Sequence, residues 1–520
     1  MSTHQPVPAE LKGLVDLSAD VLGTFVLYAT DDYFAEKENL LKPGPPVWLE
    51  GEYTHKGKWM DGWESQRKRE PGHDFAIVRL GAPGSVRGAL VDTTHFKGNA
   101  PQQIALEGIE APYTATPAQL LEDSRWFPLI DQSAVKPDFP NVFTLEKASP
   151  RVTHVRLRIY PDGGVARLRI YGDVLAEERT FWRSGSVDLG ALENGGTIAA
   201  KSDEFFGPPA NMLLPGRGVN MGDGWETKRR RTPGSDWAVV KLARRGILER
   251  IELDTHFFKG NAPQATLIEA VDASGMPADI LQGLLSSASP SGWRVLVDKT
   301  ALVQHRRHQL EPLYPMPVTH VRVHIFPHGG VNRLRLFGYS LDTEAEGSAL
   351  RRLNALDEPA ARTMFHSCCG SSAWVDGMLA RRPFASVRAL FAAAEAVWWS
   401  LGAKDFLEAF AAHPRIGQNK KAAPQSEKSA EWSKGEQRAV AQADTETLER
   451  LAKLNDEYFE KFGFIFIVFA TGKSAPEMLA LLEQRLPREK TEEVETAAAE
   501  QAKIIRVRLE KWLREQMTGR

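Results

Sequence analysis

Two short stretches of this chain hold the same set of reactive side chains. VDTTHFKGNAPQ supplies Asp92, His95, Lys97 and Asn99, and LDTHFFKGNAPQ supplies Asp254, His256, Lys259 and Asn261. A carboxylate near an imidazole can move protons, an ammonium can hold an anion, and an amide can orient a polar group. The same residues could instead organise a turn, with the lysine solvated. Finding the set twice weighs toward binding or catalysis. A second shared block, DGWE followed by a basic run, adds Glu64 with Trp63 and Glu226 with Trp225. Each pair could place a carboxylate and an aromatic wall beside a ligand, or the tryptophan could be core and the basic run a solvated hairpin. Both readings stay open. No His/Cys/Asp/Glu spacing here matches a metal-site template, so no metal ligand is assigned and the metal requirement of this half is left open.

A third set lies near the C-terminus. His413 precedes Pro414, which disfavours the α region, so a helix should end there and project the imidazole with its pKa near neutrality. Glu436, in WSKGEQ, sits at an expected helix start. On a wheel of about 100° per residue, the last helix, about 493–515, gathers Val494, Ala497, Ala498, Ile504, Ile505, Leu509 and Trp512 into one apolar stripe. Arg508 falls inside the stripe and Arg506 opposite it. A guanidinium in that setting needs an acceptor to offset desolvation. A carboxylate such as Glu436 and a substrate anion are both open as that acceptor.

The elements that must position these residues follow from repetition. Residues 61–102 and 223–264 align at an offset of 162, residues 39–44 resemble 211–216 at 172, and 153–172 match 319–338 at 166. The last pair alternates apolar and polar residues (Val155, Leu157, Ile159; Val321, Val323, Ile325) around Pro-x-Gly-Gly, which predicts a β-hairpin in each copy. Short alternating strands with Gly and Pro punctuation predict two antiparallel jelly-roll sandwiches, residues 15–178 and 184–344. The histidines are not equivalent: His95 follows Asp92 by three residues and His256 follows Asp254 by two. If strand geometry persisted, only His256 would share a face with its aspartate, so one working site is expected rather than two equal ones. After a small, charged stretch read as a linker, 345–357, residues 358–520 become rich in Ala, Leu, Glu and Lys. An all-α domain is predicted there, with Val387, Leu390, Phe391, Ala394, Val397 and Trp398 on one helix face and a capping box opening at Ser474.

Bulk properties narrow the function. The chain has 520 residues, enough for about three domains. Its formal charge of −2 leaves no basic surplus for a phosphate backbone, so nucleic acid is not an expected partner. The start MSTHQPVPAELKG lacks a signal-peptide pattern, and no stretch has the length and apolarity of a membrane span, so a cytoplasmic protein is expected. The two cysteines, Cys368 and Cys369, are neighbours and fit reducing conditions.

Residues 15–344, with two copies of GWE, Asp-Thr and Lys-Gly-Asn-Ala-Pro and the PDGG-type segment, resemble allantoicase. That resemblance implies hydrolysis of allantoate to ureidoglycolate and urea. Asp92/His95 or Asp254/His256 would move protons, Lys97 or Lys259 would take the carboxylate, and Asn99 or Asn261 a ureido group. The alternative for this half is a non-catalytic ligand-binding module. Residues 358–515, with CCGSSAWVDGMLARRPF, HPRIG, WSKGEQ and LNDEYFEKFGFIFIV, resemble the decarboxylase of 2-oxo-4-hydroxy-4-carboxy-5-ureidoimidazoline (OHCU). It implies a cofactor-free, all-helical enzyme forming S-allantoin. By motif, His413, Glu436 and Arg508 would be catalytic, and Pro414, Phe464 and Ile465 would bind substrate. The partners expected are small ureido acids, and homo-oligomerisation is compatible with the sequence.

Overall fold

The computed structural model describes residues 7–183, 185–286, 291–413, 445–470 and 473–518. The chain divides into two compact units, residues 1–180 with 185–341, and residues 181–184 with 342–520. Among the described residues no helix is long and apolar enough to cross a membrane.

The first unit holds the two antiparallel jelly-roll repeats expected from the sequence. In repeat 1 the organising element is the strand Asp74–Asp92. Its first part pairs with Arg151–Tyr160 on one side and Phe25–Ala29 on the other. Its last part pairs with Arg167–Val174 and Pro140–Thr144. The changeover falls around residues 81–86, so one strand serves two groups of neighbours. Repeat 2 copies this arrangement: Asp236–Asp254 pairs with Pro317–Phe326 and Thr197–Lys201, then with Arg333–Ser340 and Arg307–Leu310.

This topology corrects the hairpin expectation. Arg151–Tyr160 and Arg167–Val174 do alternate, but they do not pair with each other; each pairs with Asp74–Asp92, and they overlap there only at Gly84 and Ser85. The Pro-x-Gly-Gly segment between them is a corner, where Gly164–Val165 bridges Trp63–Glu64. Apolar side chains from these strands fill the interior, with Val155, Leu157, Ile159, Val321, Val323 and Ile325 all at 0% exposure.

The second unit is helical. Residues 345–357 are not a linker: helix Glu344–Ala355 occupies most of them and buries Ala349, Leu350 and Leu353. Thr343 and Glu346 close a capping box at its start, with the Glu346 N–H donating to Thr343 Oγ1 at 3.3 Å and the Thr343 N–H to Glu346 Oε2 at 2.8 Å. A linker reading fails because the Ala/Leu spacing there is already that of an apolar helix face. Trp182 joins the same core, stacked on Phe391 with ring centroids 5.6 Å apart and its Nε1–H donating to Glu346 at 2.6 Å. Helix Val387–Trp399 buries the six residues expected of its face. The terminal helix spans Lys490–Thr518.

Candidate functional sites

In both repeats the long strand ends at the aspartate, and the polar loop begins there. The chain turns at once: the Thr94 N–H donates to Asp92 Oδ1 at 2.9 Å, and the His256 N–H to Asp254 Oδ1 at 2.8 Å. One residue later the backbone is left-handed, at His95 (φ 72°) and Phe257 (φ 69°). His256 therefore occupies the turn position of Thr94, and His95 that of Phe257. The expected inequality of the histidines holds, but its cause is turn position, because no strand continues for parity to act on. Phe96 and Phe258, both fully buried, pin the loop from below. A Cβ on Gly164 or Gly330 would come within 1.9 Å of these rings, so only glycine admits them.

The loop's amide and the GWE carboxylate meet in each copy. Asn99 Nδ2 donates to Glu64 Oε1 at 2.7 Å, and Asn261 Nδ2 to Glu226 Oε1 at 2.5 Å. Burial pushes the Glu64 carboxyl above its ordinary value, and the Asn99 hydrogen bond opposes that. The tryptophans next to these glutamates are core, not a ligand wall: Trp63 and Trp225 are 0% exposed, and each indole N–H donates to a backbone carbonyl. Lys97 and Lys259 stand in solvent; Lys97 Nζ lies 3.8 Å from Asp138 Oδ2. Sequence reasoning missed two buried arginines beneath the loops. Arg167 faces Asp92 across the sheet and Arg333 faces Asp254. The signal available was the Arg-Leu-Arg sequence after each Gly-Gly. Among the described residues no group of three or more His, Cys, Asp or Glu side chains could hold a metal ion.

In the helical unit, His413 follows helix Ala403–Ala411 and the terminal helix supplies its neighbours. Arg508, 3% exposed, donates from Nη1 to the Ser367 carbonyl at 3.3 Å. Its charge also reaches Cys369, whose buried thiol is pushed up to about 12 by desolvation while Arg508 pulls the other way. Burial first, and Arg508 second, hold His413 down at about 3, with a contact to Gln501 opposing them. The imidazole is therefore neutral at pH 7, a correction to the expectation of a pKa near neutrality. Gln501 was not foreseen, although it lies seven residues before Arg508 and so on the same helix face. Its side chain is fully buried, and among the described residues neither amide atom has a well-formed hydrogen bond. Phe464 is buried, its ring 5.3 Å from Phe410, and Ile465 is partly buried beside it. Pro414 and Glu436 lie outside the described residues.

Residues 15–175 and 187–341 match the family model described as allantoicase repeat, and residues 354–510 match that described as OHCU decarboxylase. Duplicated jelly rolls joined to this helical domain define a bifunctional enzyme of purine catabolism that acts on small molecules. The chain belongs to the allantoicase family, with an OHCU decarboxylase domain following the repeats. A protein named probable allantoicase 2 from Burkholderia pseudomallei is 42% identical over 335 residues, covering 64% of this chain and 96% of its own. The allantoicase of Dictyostelium discoideum is 42% identical over 332 residues, covering 63% and 88%. The solved structure of the allantoicase of Saccharomyces cerevisiae is 34% identical, with a TM-score of 0.52 over 63% of this chain and 93% of that one.

Proposed function

We propose that the sandwich unit hydrolyses allantoate to ureidoglycolate and urea, and that the helical unit decarboxylates OHCU to S-allantoin, in the cytoplasm. The observation that carries this reading is that each unit gathers polar side chains from distant segments into one place: Asn261 on Glu226, and His413 beside Arg508.

Allantoate bears a carboxylate and two ureido groups on one carbon. Its hydrolysis breaks one C–N bond, gives the leaving nitrogen a proton, and adds the oxygen of water to the carbon. Asp254 with His256, or Asp92 with His95, would move those protons. The Glu–Asn pair would hold the ureido arm that stays, and a cation the carboxylate.

In OHCU the carboxylate-bearing carbon adjoins a C=N/C=O system, so the electron pair of the broken C–C bond has a sink within the substrate. No cofactor is invoked. Neutral His413 would exchange a proton with the ring hydroxyl, Glu436 would orient His413 or bind the ureido group, and Arg508 would hold an anionic oxygen.

The test uses the full chain and both substrates. His413→Asn should abolish stereospecific allantoin formation while urea release from allantoate continues unchanged. Unimpaired decarboxylation by that variant would remove His413 from the mechanism. A wild-type chain that binds allantoate without releasing urea would make the sandwiches a ligand-binding module.

A further inference from the structure

Arg167 and Arg333 start the same strand in the two repeats, each opposite the aspartate that ends the long strand. Directly opposed residues of an antiparallel pair face the same side, so both guanidinium groups lie under the polar loop. Their hydrogen bonding is not the same. Arg167 uses all three nitrogens: Nε to Gly44 O, Nη1 to the carbonyls of Asn39, Asp61 and Ala166, and Nη2 to Asp61 Oδ2 at 2.5 Å. Arg333 uses Nη1 alone, for the carbonyls of Asp223 and Asn332 and for Asn332 Oδ1. Its Nε is buried without an acceptor, and Nη2 donates to nothing among the described residues, although the residue is only 4% exposed.

The cause is a difference in loop length. Between the segment at 39–44 and the GWE block, repeat 1 has ten more residues than repeat 2, the change of offset from 172 to 162. That extra length lays residues 44–48 over the site. Gly44 and Pro45 accept from Arg167, the Val47 N–H holds Asp61 inward at 2.9 Å, and Trp48 lies against the His95 ring at 5.6 Å. In repeat 2 the shorter loop turns Asp223 the other way, to accept the N–H groups of Val219 and Asn220. Arg333 is left without a carboxylate hydrogen bond among the described residues, although the charges of Asp223 and Asp254 still reach it.

A second difference concerns charge. The left-handed residue of the loop is held by Asp138 in repeat 1, where the His95 N–H donates to its Oδ1 at 2.8 Å. In repeat 2 the same hydrogen bond goes from the Phe257 N–H to His305 Nδ1 at 2.9 Å. A histidine thus replaces a fixed anion. His305 stacks on His256 at 4.1 Å, and Arg217 and Lys259 are close enough to join burial in holding His256 below its ordinary pKa. Repeat 2 is built to receive an anion, and repeat 1 supplies its own.

We infer that the substrate carboxylate docks on Nε and Nη2 of Arg333 in repeat 2, and that repeat 1 takes no substrate because its own residues 44–48 and Asp61 fill the matching place. Nε and Nη2 form the side-on fork that meets a carboxylate with two parallel hydrogen bonds. Asp254, across the strand, and His256 beside it then stand near the carbon that bears the carboxylate. This inference rests on the allantoate reading and narrows it to one repeat.

The experiment measures allantoate kinetics in the full chain, with OHCU turnover and the melting transition as internal controls. Arg333→Met should raise KM for allantoate about 100-fold with kcat little changed, since the carboxylate is held equally in ground and transition states. Arg333→Lys should recover part of the loss. His305→Asp, which puts the repeat 1 charge into repeat 2 without touching the buried arginine, should raise KM about tenfold. Asp138→Asn, in repeat 1, should leave allantoate turnover unchanged. If Arg333→Met fails to fold, His305→Asp decides. Wild-type turnover that survives both repeat 2 substitutions, or falls in Asp138→Asn, overturns this inference alone. A wild-type chain that releases no urea sinks it together with the proposed function.

Discussion

His413 in the helical unit and the pair His154 and His320 in the sandwiches share one property and differ in what it means. All three are held well below the ordinary histidine value by burial: His413 at about 3, His154 and His320 at about 4. The sandwich pair sit at matching positions of the two repeats, each with Nδ1 at 2.9 Å from the hydroxyl of the preceding threonine. They lie within the strands Arg151–Tyr160 and Pro317–Phe326. His413 lies beyond a helix end and faces Arg508 and Gln501. A lowered pKa therefore reports burial and a nearby cation, Arg508 for His413, Arg79 for His154 and Lys241 for His320, and does not by itself mark a reactive histidine.

The sharpest way to break this comparison is Arg508→Met. It should lower OHCU turnover about 1,000-fold, leave urea release unchanged, and raise the His413 pKa by removing a nearby cation, as read by NMR titration. Full activity in that variant would reduce His413 to another buried histidine. Next in size, Trp182→Ala should cost the helical unit about 3–5 kcal/mol, seen as a lowered melting transition, because it deletes a core indole and the hydrogen bond it gives Glu346 Oε1.

A third test addresses the sandwich pair. Each is neutral when folded and has an ordinary value of 6.5 when unfolded, so the unfolded chain binds more protons as pH falls below 6.5. Stability is then lost between pH 6.5 and about 4. Replacing both by leucine should flatten that acid limb in calorimetry without altering allantoate turnover; a change in turnover would give the pair a functional role. The smallest effect is expected at Ser474, whose Oγ–H donates to Glu477 Oε2 at 2.7 Å at the start of helix Ala475–Arg485. Ser474→Ala should cost about 1 kcal/mol in thermal unfolding.

Much of the fold was legible because the chain repeats itself. Two copies at fixed offsets announced two like domains, and the Val387–Trp398 stripe gave a helix with its buried face. The Pro-x-Gly-Gly hairpin was misread because alternation marks a strand but not its neighbour, and the neighbour here is a distant strand of 19 residues. Strand parity does not govern the histidines, because the strands stop at Asp92 and Asp254. In the sites, the paired Asn and Glu were identified as separate candidates, but their contact required the fold. Arg333 escaped notice because its residue type is the same in both copies; the difference lies in a loop more than a hundred residues earlier.

The long strand that serves two groups of partners has one more consequence. It makes the distance from the first sheet to the polar loop a count of residues rather than a matter of packing. One residue inserted between Gly88 and Asp92, where the ladder to Arg167–Tyr171 is regular, would leave the earlier ladder in register and carry Asp92 to the opposite surface. The strand behaves as a ruler, and evolution can lengthen the loops on either side of it far more easily than the ruler itself.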